Sequence, residues 1–182
     1  MPSSGFAEET TCPVGSSPTA IELGDLNGDG LPDIVLVSQA LSEIEVFLSQ
    51  PRALTSRLGT GCAGTGGLTP QISGPSLAIH GGVATVALAD ARPSAGCVLG
   101  VSVSLVPSTL APTSCVVYLA SPVLTFSLVT TPRGTASLSF AVPQAPAFTG
   151  DEIYFQWAVF DPFGAYQGIL AFSDALRMRV GF

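Results

Sequence analysis

The chain has 182 residues, 47% of them hydrophobic and only 10% charged, with a formal net charge of −7. No apolar run approaches the roughly 20 residues a membrane helix needs, so the chain is expected not to be transmembrane, and high apolar content with low charge excludes ordinary disorder. All six basic residues are arginine and lysine is absent, which removes the basic footprint that nucleic-acid binding requires.

The charge is concentrated in the first quarter. Residues 1–52 carry eight acids against Arg52 alone, giving −7, while residues 53–182 hold five acids and five arginines. A local acidic excess of this kind marks a cation site or a solvated face. The N-terminus, MPSSGFAEETT, has neither the basic nor the apolar region of a secretory leader. An exported chain would have lost its leader or be a piece of a longer one.

Twenty glycines and fifteen prolines punctuate the chain, so regular helices are excluded over most of it and short strands are expected. Residues 1–52 predict three strands. Ala20–Leu23 precedes an Asp/Gly-rich loop. Ile34–Ser38 follows as a continuous apolar run, the pattern of a strand buried on both faces. Ile44, Val46 and Leu48 then alternate with Glu45, Phe47 and Ser49, as on a half-exposed strand. The Gly/Thr-rich stretch 53–69 reads as a linker. Residues 70–182 predict nine strands: Pro70–Ile79, Val83–Ala89, Cys97–Val106, Cys115–Leu119, Val123–Thr130, Thr135–Val142, Glu152–Phe160, Gln167–Phe172 and Leu176–Val180. Their regular spacing predicts an all-β fold, with a β-sandwich (jelly-roll or Ig-like) over 70–182.

The sharpest motif is GDLNGDGLPD at residues 24–33. Oxygen-bearing side chains fall at loop positions 1, 3, 5 and 9, with glycine at 6. Ca²⁺ takes six to eight oxygen ligands, and such a loop wraps the ion with alternate residues. Asp25, Asn27, Asp29 and Asp33 would supply side-chain oxygens and Leu31 its backbone carbonyl. Asn27 is the sole asparagine of the chain. An EF-hand would place a bidentate glutamate at position 12, but Leu36 stands there inside a β run. The plainer alternative is a hairpin closed by Asx turns without a metal.

PVGSSPTAI at 13–21, the acidic loop, and EIEVFLS at 43–49 together resemble one FG-GAP (integrin-α-like) repeat over about residues 5–50. The resemblance implies one β-propeller blade with Ca²⁺ in the turn between its first strands, and a secreted adhesion or surface protein. In that frame, Gly5–Thr11 reads as the tail of a preceding blade. The second part, with LGTGCAGTGGLTPQISG, Ser114-Cys115 and FQWAVFDP…LAFSDALRMRVG, resembles a C-terminal β domain of secreted, repeat-rich bacterial proteins of the planctomycete type. It supports location and fold only, and implies a Cys62–Cys115 disulfide. Four cysteines without a C-x-x-C pair in a β-rich chain favour disulfides over zinc. A Cys12–Cys97 pair would use the remaining two, although four cysteines allow three connectivities.

Catalytic constellations are weak. His80, the single histidine, stands in an Ile-His-Gly-Gly turn without a nucleophile motif. Asp151, Glu152 and Asp161 read as strand-end caps rather than a glycosidase pair. Trp157, Tyr154 and Phe155 read as core rather than a sugar-stacking face. No enzyme is therefore expected. No N-x-[ST] sequon occurs, while 35 serines and threonines leave O-glycosylation open.

A single blade exposes strand edges and both faces, and uncharged edges favour association. The expectation is an extracellular Ca²⁺-binding structural protein, a homo-oligomer or filament formed by β-strand addition through Gly5–Cys12. The alternative is the C-terminal part of a larger propeller-type adhesin that contacts carbohydrate or a cell surface.

Overall fold

A computed structural model describes residues 14–15, 17–27, 31–49, 52–75, 78–120 and 124–181. Gly5–Cys12 and Asp29 lie outside the described residues. The fold is all-β, with fourteen strands and two single-turn 3₁₀ segments among the described residues. The chain divides into two compact units, Met1–Gln50 and Pro51–Phe182.

The first unit holds β1 (Pro18–Gly24), β2 (Asp33–Ser38) and β3 (Glu43–Phe47). They form an antiparallel sheet in the order β1-β2-β3. The register places Ile21 opposite Leu36 and Leu23 opposite Ile34 on one face. Val35 stands opposite Val46, and Val37 opposite Ile44, on the other. Both faces are thus apolar, and both remain accessible: Ile21 and Leu23 are 64% and 62% exposed, and Ile44 and Val46 69% and 52%. This corrects the expectation that Ile34–Ser38 is buried on both faces. Leu36 is buried, but Val37 is exposed, because no further layer covers its side of the sheet among the described residues. In β3 the alternation is inverted: Glu45 and Phe47 are the partly buried residues and Ile44, Val46 and Leu48 the exposed ones. The Glu45 carboxylate accepts the Gly15 N–H at 3.0 and 3.2 Å, folding the chain before β1 against β3.

The second unit contains β4 (Leu54–Leu58), β5 (Gln71–Ser73), β6 (Ala78–Ile79), β7 (Val83–Ala89), β8 (Gly96–Ser102), β9 (Leu105–Thr109), β10 (Val116–Leu119), β11 (Leu124–Val129), β12 (Ala136–Ala141), β13 (Glu152–Phe160) and β14 (Leu170–Gly181). One sheet runs β11-β8-β13-β14-β4, with β6 parallel to the end of β14; a second runs β12-β7-β5; β9 and β10 form a separate hairpin. The two larger sheets share one apolar core. Ala84, Val86 and Leu88, the alternate residues of β7, meet Leu99, Phe155, Trp157 and Met178 there. Phe140 stacks on Phe155 with ring centroids 5.7 Å apart. Trp157 and Phe155 are core, as the sequence predicts, but Tyr154 is only partly buried and lies outside the core cluster.

Four segment boundaries differ from the sequence expectation. The 53–69 stretch is not a plain linker: Leu54–Leu58 pairs with β14 from Leu54↔Arg179 to Leu58↔Ala175. Pro70–Ile79 divides into β5 and β6. Cys97–Val106 divides at Val103 and Ser104, where the Ser102 hydroxyl accepts the Ser104 N–H at 3.0 Å. The last two predicted strands are one continuous β14.

Candidate metal centre

The acidic loop joins β1 to β2, with Gly24 directly opposite Asp33 in the register. Asp25, Asn27, Leu31 and Asp33 all lie in this connection and its junction with β2. Asp25 and Asn27 are exposed and Leu31 is partly buried. Asp33 is fully buried. Its Oδ2 accepts the Leu26 N–H at 2.9 Å and its Oδ1 accepts the Ser49 N–H at 2.8 Å. One carboxylate thereby ties the turn to the residues that follow β3. Sequence reasoning assigned Asp33 a ligand role and missed this clamp.

A buried carboxylate is costly unless a positive charge or strong donors accompany it. Residues 1–50 contain no basic side chain, so the unit has no arginine or lysine of its own to balance Asp33. Each carboxylate oxygen keeps a second lone pair after accepting one N–H. The donor set, all hard oxygen, fits Ca²⁺. Among the described residues no group of three or more His, Cys, Asp or Glu side chains comes together. Asp29, the central carboxylate of the five predicted ligands, lies outside them.

In the second unit the Cys62–Cys115 disulfide is formed, with Cα atoms 5.1 Å apart across a sequence separation of 53. It lies in a small apolar cluster with Phe172, and Cys62 N–H donates to the Phe172 carbonyl at 2.8 Å. The Tyr118 hydroxyl adds a second tie between these segments: it accepts the Thr60 N–H at 2.8 Å and donates to the Thr60 carbonyl at 3.0 Å. The Cys12–Cys97 pairing is corrected. Cys97 is a free, buried thiol on β8, facing the apolar core, where burial pushes its pKa up. Cys12 lies outside the described residues.

His80, Glu152 and Asp161 have structural partners, and Asp151 is exposed. His80 bridges the Pro143 carbonyl through Nδ1 at 3.0 Å and Thr149 Oγ1 through Nε2 at 2.9 Å, pinning the turn after β6. Glu152 accepts the Tyr154 hydroxyl at 2.6 Å. Asp161 is buried and accepts the Thr65 N–H at 2.7 Å, the Thr65 hydroxyl at 2.5 Å and the Phe163 N–H at 3.0 Å. Burial pushes this carboxyl up, but the Thr65 and Phe163 donors outweigh it and hold its pKa below the ordinary value. Sequence reasoning also missed two buried polar residues. Asp174 in mid-β14 bonds Arg57 Nε at 2.5 Å and Ile72 N–H at 3.2 Å. Gln156 accepts the Tyr118 N–H and donates to the Val116 and Ser173 carbonyls.

No protein family, curated protein or solved structure matches this chain.

Proposed function

We propose that the chain is an extracellular, Ca²⁺-binding structural protein that self-assembles, the first unit acting as a propeller-blade-like association element and the second as a stabilised β-sandwich. The observation that carries this reading is the three-stranded sheet with exposed apolar side chains on both faces. Such a sheet needs a layer on each side before its apolar surface leaves water. Ca²⁺ at Asp25, Asn27, Asp29, the Leu31 carbonyl and Asp33 would neutralise the acidic turn and fix the β1–β2 geometry that displays those faces. The disulfide supports an oxidising compartment, and no helix among the described residues is long and apolar enough to cross a membrane.

Negative-stain electron microscopy and light scattering of the purified chain, with Ca²⁺ and with chelator, test the proposal. Assemblies that form with Ca²⁺ and dissolve with chelator are expected. A stable monomer at high concentration with Ca²⁺ present overturns self-assembly and favours the adhesin-fragment reading, in which the two apolar faces belong between neighbouring blades of a longer chain.

A further inference from the structure

We infer that the free edge of β11 is a second, Ca²⁺-independent self-association surface, where two copies of the chain join their six-stranded sheets into one through antiparallel β11–β11 pairing. The inference rests on the second unit alone and stands whether or not the first unit binds Ca²⁺.

β11 closes one side of its sheet and pairs only with β8 among the described residues. The pairing is regular over its whole length, from Leu124↔Val101 to Val129↔Gly96, with no bulge. Thr130 N–H continues the ladder by donating to the Ala95 carbonyl at 2.9 Å. The alternation of an antiparallel strand then fixes the rest. The N–H and C=O groups of Leu124, Phe126 and Leu128 face β8, and those of Thr125, Ser127 and Val129 face away from it.

Edge strands are ordinarily guarded by charge, proline, a bulge or a covering segment. β11 has none of the first three. Residues 93–132 contain no charged side chain, and LTFSLV contains no proline. The strands that close the two larger sheets elsewhere are guarded or unattractive. β4 carries Arg57, β5 is three residues long, and β12 exposes chiefly serine and alanine. β11 instead exposes Leu124, Phe126 and Val129.

A second copy is the occupant that this edge fits best. With a two-fold axis through Ser127, Thr125 meets Val129 of the other copy and Ser127 meets itself, giving about six main-chain hydrogen bonds at two per narrow pair. Phe126 then stands opposite Leu128 of the other copy in the wide pairs, where side chains approach most closely. Both lie on the core side of the sheet, across from Leu99 and Cys97, so the apolar row continues through the junction. Residues 53–182 carry equal numbers of acids and arginines, so the paired units meet no net repulsion.

The test is sedimentation and amide hydrogen exchange of the full chain in chelator. A monomer–dimer equilibrium is expected, with the Thr125, Ser127 and Val129 amides protected at high concentration and exposed on dilution, and those of Phe126 and Leu128 protected throughout. Ser127→Pro removes an outward N–H without touching the β8 ladder. Ser127→Lys, which leaves every backbone donor in place, reads the same edge should the proline variant fail to fold. Each should weaken the dimer at least about tenfold, as a guarded edge requires. A monomer at all concentrations, a dimer whose Thr125, Ser127 and Val129 amides exchange freely, or a dimer unaffected by Ser127→Lys overturns the inference.

Discussion

The two units both build their strands from Val, Leu and Ile and reach opposite outcomes. The second closes on itself: β7 and β13 turn their apolar alternates inward, and Trp157, Leu99 and Val86 are sealed between two sheets. The first places apolar residues on both faces of one sheet and leaves both accessible. Apolar content therefore does not decide whether a sheet is finished. What decides it is whether another layer exists for each apolar face. The acids follow the same division. In the second unit, Asp161 and Asp174 are single buried carboxylates with their own donors. In the first, Asp25, Asp29 and Asp33 share one stretch of ten residues with no basic side chain in residues 1–50.

The largest expected difference lies in the cores. Trp157→Ala should destabilise the second unit by about 3–5 kcal/mol in urea unfolding. Ile44→Ser, measured in the chelated monomer, should change stability by no more than about 0.5 kcal/mol. A large loss from Ile44→Ser would mean that its face is covered after all and would end the contrast. Reducing the Cys62–Cys115 bond should cost the second unit about 2–4 kcal/mol and leave exchange in β1–β3 unchanged; exchange resolved by segment separates the two. Ca²⁺ should do the converse. At a hundredfold excess over its dissociation constant it should stabilise the first unit by about 2.7 kcal/mol, with no effect on β7 or β13 and no effect at all in Asp33→Asn. The smallest effect concerns acid. The Asp161 carboxyl has a folded pKa below its unfolded value. Its contribution is therefore complete above the unfolded pKa of about 3.9 and is lost as pH falls through the lower folded value. Asp161→Asn should flatten that part of the pH–stability curve, which thermal melts between neutral and acid pH would show.

Much of the strand pattern was legible in the sequence because its punctuation is local. Val83–Ala89 and Glu152–Phe160 are strands with the predicted bounds. The misreadings have nonlocal causes. Leu54–Leu58 sits among glycine and threonine and contains Arg57, and its reason for being a strand is β14, more than a hundred residues away. β14 itself looked like two strands because Ser173-Asp174 interrupts its apolar run. Asp174 is tolerated there because Arg57 and Ile72 N–H meet it. In the acidic turn, spacing marks the candidate oxygen ligands, since loop position and residue type are written side by side. The Asp33 clamp on Ser49 depends on a strand returning from elsewhere, which no local pattern announces.

The pairing of β4 with β14 has a mechanical side. Leu54 stands opposite Arg179, so residue 54 and the far end of β14 lie at the same end of the antiparallel pair. Tension applied between residues 50 and 181 would open this pair like a zipper, one bond at a time, rather than shearing all its bonds together. The opening has a built-in stop. Once the chain has peeled back to Cys62, force passes through a covalent bond to Cys115 at the foot of β10. Residues 52–61 would thus yield about 33–36 Å of extension at 3.3–3.6 Å per residue, and the crosslink would then take residues 63–114, with β7 and β8, out of the load path. An element that gives first and then locks suits a protein placed in series with its neighbours.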